Sequence, residues 1–186
     1  MEAIKKIELN KIAKVILVAM LGTLLLTISA KIKIPFYPVP MTMQTFVVLF
    51  LGITLGSRIG LLTISLYLFE GIFGLPVFAG TPEKGLGLTY FTGPTMGYLI
   101  GFLVAVYFSG LFKYDKGIIN TFLKLIFSVS FIYILGLIWL GTLIGWDKPI
   151  FKLGAEPFLL AELFKILLLL FLTPTLLKAK KLIKII

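Results

Sequence analysis

The chain has 186 residues, of which 59% are hydrophobic and 14% are charged, and its mean hydropathy is +1.09. So little charge cannot solvate a water-soluble globule of this size, so the bilayer is the expected solvent. The lack of Cys and His removes the usual nucleophile, base and soft metal ligands, so we expect no enzyme, metal site or cofactor. The net charge of +10 comes from lysines at the ends of apolar runs, which indicates membrane topology and not nucleic-acid binding.

The first membrane helix is predicted at residues 12–30, an apolar run with four lysines before or near its start. At about 1.5 Å per residue it is long enough to cross the hydrocarbon. The alternative is a cleavable signal peptide that ends near Ala30. Residues 31–40 contain three prolines, whose fixed φ and missing N–H groups exclude a continuous helix.

Two short apolar runs follow, at residues 41–55 and 59–73, and Gly56-Ser57-Arg58 separates them. We predict two short helices joined by a tight basic turn. Residues 74–92 then form a loop rich in Gly and Pro, too irregular to face lipid unless protein or water satisfies its backbone. A loop of this length in a small membrane protein is expected to be functional.

Three more helices are predicted at residues 95–112, 121–146 and 159–177, with a polar, Pro-containing linker at 147–157. The sequence therefore predicts an all-α integral membrane protein, a bundle of six transmembrane helices forming a single domain over residues 1–186.

The basic residues predict the side of the membrane that each loop faces. With the N-terminus inside, eleven of them fall in cytoplasmic segments and five in outer ones. The inner set is Lys5, Lys6, Lys11, Lys14, Arg58, Lys113, Lys116, Lys178, Lys180, Lys181 and Lys184, and the outer set is Lys31, Lys33, Lys84, Lys148 and Lys152. Both termini are therefore expected in the cytoplasm. The three Pro/Gly loops are expected to converge on the outer face, where a site for an external solute could form.

Small residues recur at every fourth position of the fourth predicted helix: Gly93, Gly97, Gly101, Ala105 and Ser109. Such a stripe lets another helix approach closely, and we favour packing inside the bundle over contact with a separate protein. A weaker pair, Ala19 and Thr23, lies on the first helix.

Four ionisable residues fall inside the predicted spans, where charge is costly and usually functional: Glu70, Lys124, Glu162 and Lys165. Lys124 and Glu70 lie near helix ends, so Lys124 can reach the surface and Glu70 is expected to be structural. Glu162 and Lys165 are spaced i, i+3, which puts both charges on one helix face. They form either a self-satisfied ion pair or a ligand contact.

Three segments carry a resemblance to a known family. They are Pro-Phe-Tyr-Pro-Val-Pro-Met-Thr-Met-Gln-Thr at residues 35–45, Gly-Leu-Pro-Val-Phe-Ala-Gly at 74–80 and Gly-Pro-Thr-Met-Gly-Tyr-Leu-Ile-Gly-Phe at 93–102. Set among long apolar runs, they resemble the BioY family, the biotin-binding membrane subunits (S components) of energy-coupling-factor (ECF) vitamin transporters. The resemblance implies the S-component fold and biotin uptake across the plasma membrane by a multi-pass protein.

The resemblance also implies partners and contacts. A transmembrane coupling subunit and a pair of cytoplasmic ATPases would supply the energy, since the chain has no Gly-x-x-x-x-Gly-Lys-Ser/Thr loop. Family members dock through an Ala-x-x-x-Ala pattern on the first helix, which Ala19 and Thr23 match imperfectly. Glu162 and Lys165 match the family's ligand-contacting acid and lysine, although the acid is more often Asp.

Further candidates follow from the chemistry of biotin, whose ureido group donates two N–H bonds and accepts one while its thioether ring needs an apolar wall. The candidate binding residues are Tyr37, Thr42, Gln44, Phe78, Tyr90 and Tyr98, with Lys84, Lys165 or backbone N–H groups for the carboxylate. Residues 35–44 are expected to act as a lid. The alternatives are an S component for thiamine, riboflavin or niacin, a membrane enzyme acting on lipid, and a channel.

Overall fold

The structure is a computed structural model that describes residues 2–35 and 41–182. Its elements, in chain order, are α1 (Glu2–Lys31), β1 (Lys33–Ile34), β2 (Met41–Thr42), α2 (Gln44–Ile72), α3 (Leu88–Phe91), α4 (Met96–Leu111), α5 (Ile118–Ile144), α6 (Ile150–Gly154), a 3₁₀ turn (Glu156–Phe158) and α7 (Leu159–Leu182). The two strands pair antiparallel, with Lys33 opposite Thr42.

Helix α2 is a hairpin of two short helices and not one long span. Gly56 breaks it with φ 79° and ψ 171°, a left-handed conformation that favours glycine. The two halves fold back on each other, so that a Cβ added at Gly60 would lie 3.6 Å from the Cα atom of Gly52. We name the halves α2a (residues 44–55) and α2b (residues 57–72). This confirms the prediction of two short helices around a tight turn.

Among the described residues, four helices are long and apolar enough to cross a membrane, within Lys11–Lys31, Gln44–Ile72, Ile118–Ile144 and Ile150–Lys178. Helix α4 is a shorter apolar helix. Because α2 is a hairpin, these segments supply six membrane-embedded helices, as predicted. We call the end that carries the β1–β2 hairpin the outer end, following the lysine distribution.

Glycines bring the backbones of α2, α4 and α5 together. A Cβ at Gly101 would lie 2.6 Å from the Cα atom of Ile132, and one at Gly97 would collide with the Leu135 carbonyl oxygen of α5. A Cβ at Gly52 would collide with the Ser109 hydroxyl group. Gly97, Gly101, Ala105 and Ser109 of the predicted stripe are therefore buried inside the bundle, as expected, whereas Gly93 lies before α4 and is only partly buried.

The long outer loop folds over the ends of α1 and α2b. Phe78 is 1% exposed and stacks on Tyr90, with ring centroids 4.8 Å apart. From the end of α1, Lys31 donates hydrogen bonds to the carbonyl oxygens of Phe78 (3.1 Å) and Thr81 (2.7 Å). The backbone of this loop is thus satisfied inside the protein, as a non-helical segment near the membrane requires.

Helix α1 corrects the expectation for Ala19 and Thr23. Both side chains are buried, at 1% and 4% exposure, and the Thr23 hydroxyl group donates to Glu70 Oε1 of α2b at 2.9 Å. They pack inside the bundle and are not on the surface that a partner would meet. The bond also gives Glu70 the structural role expected for it.

At the inner end, Lys124 donates to the carbonyl oxygen of Lys113 at 2.6 Å, so it reaches the surface as predicted. Lys180 of α7 donates to the carbonyl oxygen of Ile53 at 2.9 Å, in the last turn of α2a.

Candidate ligand-binding site

A cavity of about 390 Å³ opens among the outer ends of α2a, α4, α5 and α7. Residues of the β2–α2a segment, of the turn before α4 and of the α5–α7 connection all line it. The lining residues are Met41, Thr42, Gln44, Thr45, Pro94, Thr95, Tyr98, Phe102, Ile132, Tyr133, Leu140, Leu153, Gly154, Phe158, Glu162 and Lys165. The volume suits a small organic ligand.

The cavity contains a buried ion pair. Glu162 and Lys165 of α7 are each 5% exposed, and Lys165 Nζ donates to Glu162 Oε1. The Thr45 hydroxyl group of α2a donates to the same carboxylate oxygen at 2.7 Å and accepts from Lys165 Nζ at 2.9 Å. Mutual neutralisation and these bonds offset the cost of burying two charges. The pair thus offers a hydrogen-bond acceptor and a donor with little net charge.

Two tyrosines stand beside this pair. Tyr133, on α5, lines the cavity together with Glu162. Tyr98 of α4 meets Tyr133 edge to face, with centroids 6.1 Å apart, and donates to the Gly154 carbonyl oxygen at 2.8 Å. With Phe102 and Phe158 they form an aromatic and apolar wall.

Gln44 adds another polar group to the lining of the cavity. It is 8% exposed, and its Nε2 donates to the hydroxyl oxygen of Tyr67 at 3.0 Å. Its Oε1 accepts from the hydroxyl group of Thr42 at 3.3 Å. Both Thr42 and Gln44 line the cavity.

The structure brings five of the sequence-predicted binding residues to the cavity: Thr42, Gln44, Tyr98, Glu162 and Lys165. Phe78, Tyr90 and Lys84 do not line it. Phe78 packs on Tyr67 of α2b and stacks on Tyr90, and Lys84 is an exposed residue of the outer loop. Tyr37 lies outside the described residues, as does half of the predicted lid, residues 36–40.

Thr45 and Tyr133 were missed by sequence reasoning. Thr45 is the last residue of the first family-like segment and directly follows Gln44. This position was the only sequence feature that could have identified it as a site residue. Tyr133 is one of several aromatic residues in an apolar helix. Such residues usually serve packing. Only the way in which α5 packs beside α7, which the sequence does not show, places Tyr133 in the cavity with Glu162.

Two further cavities also lie along α7. One, of about 380 Å³, is an apolar groove between α5 and α7 that shares Tyr133 and Glu162 with the ligand cavity. The other, of about 320 Å³, lies between the inner half of α7 and the α4–α5 loop, around Thr121 and Pro174.

Comparisons with a family model and with related proteins all point to the same family. The model of the BioY family matches residues 3–182. The chain is 35% identical over 153 residues to the probable biotin transporter BioY of Pyrococcus horikoshii, covering 82% of this chain and 90% of the relative. It is 34% identical over 145 residues to the biotin transporter BioY of Thermotoga maritima, covering 77% and 84%.

A solved structure shares the fold. The S-component for biotin from an ECF-type ABC transporter superimposes with a TM-score of 0.73 at 24% sequence identity, over 91% of this chain and 93% of that chain. The bundle therefore has the S-component architecture that the sequence predicted. With the family model spanning nearly its whole length, the chain belongs to the BioY family.

Proposed function

We propose that this protein is the biotin-binding, membrane-embedded subunit of a vitamin uptake system. The observation that carries the proposal is the buried pair of Glu162 and Lys165 facing the outer cavity. Family membership and the shared fold support the same function.

The ion pair matches the ureido group of biotin. Glu162 can accept a ureido N–H bond and Lys165 can donate to the ureido carbonyl oxygen. Because the two charges neutralise each other, a neutral ring binds here without leaving an unpaired buried charge, whereas a cationic ring would leave one. This favours biotin over thiamine, whose thiazolium ring is charged.

The apolar part of biotin suits the rest of the lining. Phe102 and Phe158 offer a wall for the thioether ring, and Tyr98 presents its ring edge against Tyr133. A ligand site with few polar groups on an apolar wall is typical of small-molecule pockets.

The valerate carboxylate would be held at the rim. Lys165 is already paired with Glu162, and Arg58 lies at the inner end. Lys33 lies opposite Thr42 in the β-ribbon, and directly opposed residues share a face of a ribbon. We assign the carboxylate to Lys33, an exposed cation whose contribution is small. Lys33→Gln should weaken biotin binding about threefold and leave biotin methyl ester unaffected.

Accumulation against a gradient would require an energy source, and the sequence has no phosphate-binding loop. We propose that a transmembrane coupling subunit and a pair of cytoplasmic ATPases supply it. Uptake of labelled biotin by cells deficient in biotin transport, with and without such a module, tests this step. Uptake of equal rate in both strains would overturn it.

The test of the main proposal is equilibrium binding of biotin to the detergent-purified protein, with thiamine and riboflavin as controls. Saturable binding of biotin alone is the expected result. A folded, monodisperse protein that binds riboflavin and not biotin would assign it to another vitamin. Binding of none of the three would overturn the assignment of the cavity.

A further inference from the structure

The side-chain amide of Gln44 faces the cavity, and it can select one kind of ligand group only if it is held in one orientation. An amide has a donor end and an acceptor end, and the end that faces the cavity decides which ligand groups bind. The neighbours of Gln44 determine that end.

The determining contact lies behind the site, at Tyr67 of α2b. The backbone carbonyl oxygen of Val77 can only accept, so the hydroxyl group of Tyr67 donates its single proton there, at 2.9 Å. The hydroxyl oxygen of Tyr67 is then an acceptor for Gln44. Its 3.0 Å contact with Gln44 must therefore be made by the amide nitrogen, Nε2.

The other end of the amide meets Thr42, whose hydroxyl group can donate or accept and so adapts to the orientation that Tyr67 sets. Thr42 lines the cavity, and its hydroxyl group donates to Gln44 Oε1 at 3.3 Å. A carbonyl oxygen can accept two hydrogen bonds, and Thr42 supplies one. No other described residue donates to Oε1, so its second acceptor position is available to a ligand.

Tyr67 cannot easily reorient. Its side chain is 0% exposed, and its ring meets Phe78 edge to face with centroids 5.2 Å apart. Phe78 in turn stacks on Tyr90, and Lys31 holds its carbonyl oxygen. The outer loop thus fixes the direction in which the hydroxyl group of Tyr67 donates.

We propose that Tyr67 is a positioning residue that commits Gln44 to present its carbonyl oxygen to the cavity, so that this side of the site selects an N–H donor on the ligand. The inference rests on the proposed function, in which that donor is one of the two ureido N–H groups of biotin. The other ureido N–H group would belong to Glu162.

The test compares four ligands on the purified full-length protein: biotin, the two analogues methylated at one or the other ureido nitrogen, and desthiobiotin, which keeps the ureido ring. The wild type should bind each methylated analogue at least about tenfold more weakly than biotin. In Tyr67→Phe the amide is free to turn. Discrimination against one methylated analogue should fall about tenfold, while discrimination against the other and the ratio of biotin to desthiobiotin should stay within about twofold.

A purely structural role would lower all four affinities together and leave the three ratios unchanged, and that result would overturn the inference. Should Tyr67→Phe fail to fold, Gln44→Ala is the second variant, because it removes Oε1 and leaves Tyr67 in contact with Val77. It should relax discrimination against the same analogue, and unchanged ratios there would also overturn the inference. Wild-type protein without biotin affinity would instead overturn the proposed function.

Discussion

Helices α4 and α7 pack in opposite ways against the rest of the bundle. The contacts of α4 with α2 and α5 are made through glycines, at Gly52, Gly97 and Gly101, where backbones meet almost directly. Helix α7 has no glycine between its first and last residues, and the three cavities described above lie along it.

The difference separates a rigid part from a part with room for a ligand. Where small residues let two backbones come into contact, the helices pack closely and leave no space for a ligand between them. Large side chains hold α7 away from its neighbours, and two lysines tie it to α2a, one through Thr45 and one through the carbonyl oxygen of Ile53. The ligand site is therefore built on the loosely packed side.

The largest effect is expected for Gly97→Leu, which places a side chain against the Leu135 carbonyl oxygen and Trp139. We expect a loss of stability above about 3 kcal/mol, measured by thermal unfolding in detergent. The matched control is Ser130→Leu, which adds a similar volume to the groove between α5 and α7. Equal destabilisation by the two changes would contradict the contrast between the interfaces.

Next in size is Glu162→Gln, which removes the carboxylate that balances Lys165. Biotin binding should weaken by at least about 1.5 kcal/mol, or more than tenfold, because a buried donor loses its acceptor. Glu156→Gln changes an exposed acid just before α7 and should leave the affinity unchanged. Unaltered affinity together with lowered thermal stability of Glu162→Gln would assign the pair a structural role only.

Thr45→Val keeps the shape of the side chain but removes the hydroxyl group that joins α2a to both charges of α7. We expect about a fivefold loss of biotin affinity in isothermal titration. Thr142→Val is its control, since the Thr142 hydroxyl group bonds only within α5, to the Trp139 carbonyl oxygen. A loss of the same size in both variants would mean that the bridge between α2a and α7 is unimportant.

The smallest effect on ligand affinity is expected for Lys180→Met, which frees the inner end of α7 from the Ile53 carbonyl oxygen. Stability should fall by about 1 kcal/mol while biotin affinity stays the same, because the cavity is at the other end of the helix. Lys178→Met, at an exposed position, is the comparison. A change in affinity would show that the two ends of α7 are coupled.

The six membrane helices were predictable because long apolar runs and Gly/Pro breaks leave few other solutions. Gly56-Ser57-Arg58 even gave the position of the α2 turn. The bounds of α1 were wrong at the start, since the helix begins at Glu2, well before the apolar run. Polar residues continue a helix into the aqueous phase, and hydropathy does not detect that extension.

The site was predictable where charge or motif selected a residue, as for Glu162, Lys165 and Gln44. It was not predictable where the orientation of a loop determines whether a side chain reaches the cavity. Phe78 and Tyr90 lie in the expected loop, yet they support Tyr67 from behind the cavity. A sequence shows which loop carries an aromatic ring but not which way the ring points.

The turn at Gly56 also has a consequence for the surrounding lipid. At about 1.5 Å per residue, α2a is about 18 Å long and α2b about 24 Å, and both are shorter than the hydrocarbon thickness of about 30 Å. Lipids that touch this hairpin must shorten or tilt their chains to match it. The protein should therefore prefer thin bilayers, and its stability in vesicles should fall as the acyl chains are lengthened.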